Sequence, residues 1–164
     1  MSTIKNNIKF LKKEFFMHLA FLQARKSLGN TGINPSVGCV ITNNDNIISL
    51  GRTSFNGRPH AEYNAIHSRK SNYKGNNLYV TLEPCVHYGL TPPCVYSIIR
   101  SKIKKVYFST YDLDNRTAKK SKIELCRRLL CRRLGRVCQI FGRVCGMPSE
   151  SLTRTVEVRD GLWK

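Results

Sequence analysis

The chain has 164 residues, a common size for one domain, and carries a net charge of +18 from 28 basic and 10 acidic residues. No apolar run reaches the roughly 20 residues that a membrane span needs, so no membrane span is predicted. The basic excess could attract polyanions, but no RNA-reading motif or interleaving of aromatic and basic residues accompanies it, so a nucleic-acid partner is not expected.

The first segment is predicted to be an amphipathic core helix and not a targeting sequence. Glu14 and His18 interrupt its apolar part, and no small-x-small cleavage site follows. Without a secretory signal, the sequence indicates a cytoplasmic, reducing compartment in which the seven cysteines are not expected to form disulfides. The apolar residues that recur at helical spacing, and so predict the core-facing side, are Leu11, Phe15, Leu19 and Leu22.

The elements that follow alternate between strands and helices. One helix is predicted to begin near His60 and to run through HAEYNAIHSRK. Another is predicted through VYSIIRSK, after Pro92 and Pro93, whose missing N–H groups are not needed in the first turn of a helix. This alternation predicts an α/β fold with helices on both faces of the sheet. Apolar runs between turn residues predict strands at 36–42, 47–53, 77–82 and 104–110.

Two short segments carry the residue types of a metal site. PHAEYNAI (59–66) contains His60, and TLEPCVHYGLTPPC (81–94) contains Cys85 and Cys94. One imidazole and two thiolates give zinc three protein ligands and leave its fourth tetrahedral position open, as catalytic zinc sites do. Cys94 is expected at a helix N-terminus, where partial positive charge favours the thiolate. The order H-x-E, then P-C, then a second cysteine is the pattern of zinc deaminases.

Glu62 is the predicted catalytic acid and base. It stands two residues after His60, close to the predicted zinc without being needed as a ligand. A carboxylate there can move a proton from water to departing ammonia. The alternative, that these are unrelated buried residues, does not account for their joint order along the predicted helices and strands. Cys39, inside a predicted strand, lacks such an arrangement and is predicted to be a core residue.

The spacing of the two cysteines makes a closer resemblance visible. Eight residues separate the two cysteines (C-x8-C), whereas the usual spacing is two (C-x2-C). The six extra residues are expected to form a loop at the mouth of the site. INPSVGCVI, GRPHAEYNAI and YVTLEPCVHYGLTPPC resemble the deaminase domain of the bifunctional riboflavin-biosynthesis deaminase and reductase, over about residues 14–125. The resemblance implies a three-layer α/β/α cytidine-deaminase sandwich with a central mixed sheet. It also implies hydrolysis of a phosphoribosylamino-diaminopyrimidinone to the aminouracil, with loss of ammonia.

Residue by residue, the resemblance makes His60, Cys85 and Cys94 the zinc ligands and Glu62 the proton shuttle. It also implies four substrate-binding residues, each with a structural alternative. Asn34 could cap a turn and Thr53 could end a strand. His87 could be an exposed loop residue and Asp112 could start a turn. The four residues are Asn34, Thr53, His87 and Asp112.

The chain departs from this family in two places. Leu90 stands where the family usually has Lys or Arg, which predicts weaker binding of a phosphorylated substrate. DLDNRTAKKSKIEL (112–125) resembles the family's D-P-D-P-R segment without its prolines, and the match ends at Leu125. Residues 126–164, in which CRRL and GRVC each occur twice, are predicted to be a divergent tail with no reductase domain. Whether RVCQIF (136–141) supplies a last strand is left open.

Three functional interpretations follow. The first is a zinc-dependent pyrimidine deaminase of riboflavin biosynthesis, with a phosphorylated pyrimidine as its small-molecule substrate. The second is a deaminase of a cytidine nucleoside, a nucleotide or tRNA. The third is a truncated, non-catalytic zinc-binding remnant. The sequence is compatible with a homo-oligomer and does not determine the oligomeric state.

Overall fold

The structure is a computed structural model that describes residues 2–69, 71–125 and 154–157. Its helices are α1 (Ser2–Arg25), α2 (Ala61–His67) and α3 (Cys94–Arg100), and a short 3-10 helix covers Phe55–Gly57. Residues 121–125 are also helical. Its strands are β1 (Gly38–Asn43), β2 (Asn46–Arg52), β3 (Asn77–Leu82), β4 (Lys105–Thr110) and β5 (Arg154–Glu157). Each predicted strand is therefore present; β3 has the predicted ends, and the ends of the other three shift by at most two residues.

The five strands form one mixed sheet in the order β2-β1-β3-β4-β5. β1 is antiparallel to both β2 and β3, and a turn at Asn44 and Asp45 joins β1 to β2. Asn44 in this turn has a φ of 52°, a left-handed conformation that asparagine tolerates better than most residues. β3 and β4 are parallel, so their carboxyl ends meet at the same edge of the sheet. β5 pairs antiparallel with β4.

The sheet is covered by helices on both faces, which confirms the predicted α/β/α layers. α1 packs on one face, where Phe16, Met17 and Ala20 contact Val40 and Tyr79. α2 and α3 pack on the other face and contact each other. The larger core lies there and includes Cys39, which is fully buried as predicted.

The predicted core face of α1 is wrong. Leu11 and Phe15 are 65% and 56% exposed, and Leu22 is also exposed, whereas Leu19 is only partly buried. Ala20 and Ala24 face Gly38, where the helix backbone comes very close to the sheet. A Cβ on Gly38 would collide with the Ala20 carbonyl, so the glycine permits this approach. The buried residues of the helix are Phe16, Met17, Ala20 and Ala24.

Gly51 allows a similar approach on the other face. A Cβ at this position of β2 would collide with the Ala61 carbonyl and with the backbone of Ala65, both in α2. The first turn of α2 is therefore held in backbone contact with the sheet. This contact fixes the distance of His60 and Glu62 from the sheet, because both residues lie at the same end of the helix.

Beyond Leu125, the structure describes only β5, so the predicted end of the domain at residue 125 stays a prediction. The pairing of β5 with β4 shows that part of the predicted tail joins the sheet. RVCQIF (136–141) lies outside the described residues. Within the described residues, no helix combines the length and the apolar character that crossing a membrane requires.

Candidate active site

Three chain segments bring the predicted metal ligands together. His60 precedes α2 in extended conformation (φ −70°, ψ 162°), and its side chain makes no capping hydrogen bond to the helix. Cys85 follows the end of β3, and Cys94 is the first residue of α3. All three ligands thus lie at the ends of regular elements, where the sheet and the two helices of one face hold them.

The geometry of the cluster fits zinc. The potential ligand atoms of His60, Cys85 and Cys94 all lie within 4.8 Å of one another. His60 Nδ1 is 3.4 Å from Cys94 Sγ and 3.7 Å from Cys85 Sγ. Tetrahedral zinc with ordinary bond lengths places a nitrogen and a sulfur ligand about 3.6 Å apart. Because the donor set is one imidazole and two sulfurs, zinc is also the chemically preferred metal.

Local hydrogen bonds favour negative charge on sulfur. The Cys94 thiol donates to Cys85, and this bond, together with the His60 imidazole, lowers the pKa of Cys85 to about 4. The same bond and burial raise the pKa of Cys94. The Cys94 backbone N–H also donates to Cys85 Sγ at 3.2 Å. Hydrogen bonding to Cys85 raises the pKa of His60. The cluster thus stabilises a thiolate, the form that binds metal.

Glu62 lies in the first turn of α2 and is only 4% exposed. Burial, and then the negative charge of Cys85, raise its pKa to about 7. A carboxyl group with a pKa near neutrality can both accept and return a proton, as a general acid and base must. The structure therefore brings the predicted proton shuttle to the predicted ligands.

His87 and Asp112, two of the predicted substrate-binding residues, lie near the segment that follows β4. His87 Nδ1 is 2.9 Å from the Thr117 hydroxyl, and its Nε2 is 4.0 Å from a carboxylate oxygen of Asp114. Asp112 accepts a hydrogen bond from the Asp114 backbone N–H, which is the local turn that the structural alternative expected. Their contact with a substrate stays a prediction.

Asn34 and Thr53 are placed differently. The Asn34 amide lies directly over Gly57, three residues before His60. Thr53 is buried, and its hydroxyl accepts a bond of 2.9 Å from the Val37 backbone N–H. Thr53 also lines an open cavity beside β2, and none of the three cluster residues lines that cavity. The structure thus supports the alternative that Thr53 ends a strand. Its role in substrate binding stays a prediction.

Glu83 is an important residue that the sequence analysis missed. It lies between the end of β3 and Cys85 and is only 2% exposed. Its carboxylate accepts hydrogen bonds from the Lys119 N–H at 2.9 Å, the Ser121 N–H at 3.0 Å and the Ser121 hydroxyl at 2.7 Å. The Asp112 N–H adds a longer bond of 3.4 Å. Glu83 thereby anchors the segment that contacts His87. The only signal in the sequence is an acidic residue at the end of an otherwise apolar strand.

Glu83→Gln is expected to lower the free energy of unfolding by about 1.5–3 kcal/mol, the usual value of hydrogen bonds to a charged group. The carboxylate now accepts hydrogen bonds from backbone N–H groups. The amide nitrogen of glutamine cannot accept such bonds, so at least one of these donors would lose its partner. Urea denaturation of the zinc-loaded protein measures the loss. Ser121→Ala removes only one of the donors and should cost about 1 kcal/mol. Equal stability of the Glu83→Gln variant and the original protein would contradict this anchoring role.

Comparison with known proteins extends these observations. Residues 11–110 match the family model of the cytidine and deoxycytidylate deaminase zinc-binding region. The riboflavin biosynthesis protein RibD of Aquifex aeolicus is 47% identical over 97 residues, which are 59% of this chain and 27% of that protein. The diaminohydroxyphosphoribosylamino-pyrimidine deaminase of Buchnera aphidicola subsp. Schizaphis graminum is 37% identical over 125 residues, which are 76% of this chain and 85% of that protein.

A solved structure is similar in the same region. The crystal structure of the diaminohydroxyphosphoribosylaminopyrimidine deaminase and 5-amino-6-(5-phosphoribosylamino)uracil reductase of Thermotoga maritima superposes with a TM-score of 0.63 at 41% identity. The match covers 66% of this chain and 32% of that protein. The chain thus spans about a quarter to a third of the Aquifex and Thermotoga proteins and most of the Buchnera deaminase.

Proposed function

Because this chain belongs to the cytidine and deoxycytidylate deaminase zinc-binding family, we propose that it deaminates the phosphoribosylamino-diaminopyrimidinone of riboflavin biosynthesis. The observation that carries the proposal is the cluster of His60, Cys85 and Cys94 with Glu62 buried beside it. The Buchnera relative, which the chain covers over most of its length, has that pyrimidine deaminase activity in its name.

The chemistry is a hydrolysis in which a ring carbon exchanges its amino group for oxygen. Zinc, when bound by His60, Cys85 and Cys94, supplies the Lewis acidity that makes a water molecule nucleophilic near neutral pH. Glu62 accepts a proton from the attacking water and delivers it to the amino group, which leaves as ammonia. The buried position of Glu62 suits this role, because its raised pKa strengthens the carboxylate as the base that accepts the proton of water.

The other two interpretations are less well supported. A deaminase of cytidine, dCMP or tRNA would use the same zinc ligands, but the C-x8-C spacing and the relatives of high identity favour the riboflavin intermediate. A non-catalytic remnant would not need Glu62, which is present and buried beside the ligands. A cytoplasmic location and the oligomeric state stay predictions from the sequence.

The direct test is ammonia release from the purified, zinc-loaded protein. The riboflavin intermediate should be deaminated, whereas cytidine, dCMP and tRNA should not be. Deamination of dCMP in preference to the riboflavin intermediate would assign the chain to the second interpretation. Ammonia release from none of the four compounds by a folded, zinc-loaded sample would assign it to the third.

Leu90→Arg is expected to lower KM for the phosphorylated substrate about fivefold or less, with kcat unchanged. The gain is small because Leu90 is 88% exposed, so an arginine there would stay hydrated, and exposed ion pairs are worth about 1 kcal/mol or less. Steady-state kinetics at low and high salt measure the change. A KM that does not fall at low salt would exclude position 90 from phosphate recognition.

A further inference from the structure

Arg58 is a cation placed directly at the candidate active site. It stands two residues before His60 and is half-buried. Its Nη1 donates a hydrogen bond of 2.9 Å to the Thr91 hydroxyl, in the loop between Cys85 and Cys94. Gly89 of the same loop has no side chain, and a Cβ there would come within 3.5 Å of Arg58 Nη2. The guanidinium therefore lies against the loop that forms the mouth of the site.

Within residues 2–69 and 71–125, no carboxylate forms an ion pair with Arg58, so its charge is not neutralised by an acidic side chain of these residues. A partly buried cation beside a metal site is unfavourable unless an anion accompanies it.

The bond to Thr91 uses one of the five N–H donors of the guanidinium. The remaining donors form a planar fork, which matches two oxygens of a phosphate group. The Thr91 hydroxyl accepts from Arg58 and keeps its own proton, so it can donate to the same anion. Arg58 and Thr91 thus form a pair of donors that are already held in place before any ligand arrives.

We propose that Arg58, oriented by Thr91, binds the phosphate group of the substrate. This inference rests on the proposed function for the identity of the substrate, whereas the anion site itself rests on the contacts of Arg58. It explains how the chain can recognise a phosphorylated substrate with leucine at position 90. The charge comes from the segment that leads into His60, and Leu90 is left exposed to solvent.

Arg58→Met tests the proposal, because methionine keeps much of the length and apolar surface of the side chain but has no charge or donors. KM for the phosphorylated diaminopyrimidinone should rise about tenfold to a hundredfold, the equivalent of a charge-assisted hydrogen bond. The KM of the dephosphorylated compound, and both kcat values, should stay within about twofold, since the phosphate is bound alike in the ground and transition states. Arg69→Met, an equal change of charge at an exposed position after α2, should change neither KM.

Arg58 could instead act only as a brace that holds the loop through Thr91. In that case Arg58→Met would raise both KM values by the same factor, and the proposal would be overturned. Unchanged KM values for both compounds would overturn it as well. Thr91→Val should give a smaller rise than Arg58→Met, and again only for the phosphorylated compound.

Calorimetric titration with ribose 5-phosphate separates this inference from the proposed function. The zinc-loaded original protein should bind this probe, and Arg58→Met should weaken the binding by the same factor as its KM. If the original protein binds the probe through Arg58 but releases no ammonia from the riboflavin intermediate, the proposed function is wrong and the phosphate site stands. If it deaminates the intermediate and Arg58→Met changes neither KM nor probe binding, the phosphate site is wrong.

Discussion

Cys94→Ser is expected to lose its zinc ion and, with it, all measurable deamination. Cys94 is only 4% exposed, and its sulfur lies 3.4 Å from His60 Nδ1. A serine hydroxyl at this position is a harder ligand that does not ionise near neutral pH, so zinc would keep two good ligands instead of three. Mass spectrometric metal analysis of the desalted protein measures the loss.

Cys39→Ser provides the matched control for this variant. Cys39 is a fully buried residue of β1 and takes no part in the cluster, so the variant should keep its zinc even where it loses stability. Circular dichroism shows whether both variants are folded. A folded Cys94→Ser variant with one zinc ion per chain would contradict the assignment of this ligand.

Glu62→Gln is expected to reduce kcat by about 10²–10⁴-fold while zinc content and fold are preserved. Glutamine has the same shape as glutamate but cannot accept the proton of water or return it to the leaving amino group. The effect should appear in kcat more than in KM, because the proton moves only in the chemical steps. Steady-state ammonia release and metal analysis of the same sample measure both expectations.

Glu14→Gln makes the same chemical change on α1, away from the cluster, and should leave kcat unchanged. If Glu62→Gln also deaminates within about threefold of the original rate, Glu62 is not the proton shuttle, since general acid and base catalysis contributes more than this.

The metal site could be predicted because its ligands stand at the ends of local elements. His60 precedes α2 and Cys94 begins α3, and such ends are marked in the sequence by prolines and by changes in hydrophobic pattern. The alternation of strands and helices likewise predicted the layers. Both kinds of information are contained in short stretches of chain.

The missed features depend on contacts between distant residues. The spacing of Leu11 and Phe15 correctly predicted a helix but not which side of it meets the sheet, since that side is decided by the absence of a Cβ on Gly38. Glu83 bonds to Ser121, 38 positions away, and Arg58 bonds to Thr91, 33 positions away. No local pattern of apolar and polar residues encodes such pairs.

The pairing of β5 with β4 affects how a shortened chain would behave. Residues Arg154–Glu157 cover the backbone of β4 from Lys105 to Phe108, at the outer side of the sheet. In a chain that ends at Leu125, the N–H and C=O groups along that side of β4 would have no partner strand. An uncovered strand whose centre, VYF in KVYFST, is apolar is a template on which a second molecule can add a strand of its own. Removing the tail would therefore favour aggregation through edge-to-edge strand pairing, even with the zinc ligands intact.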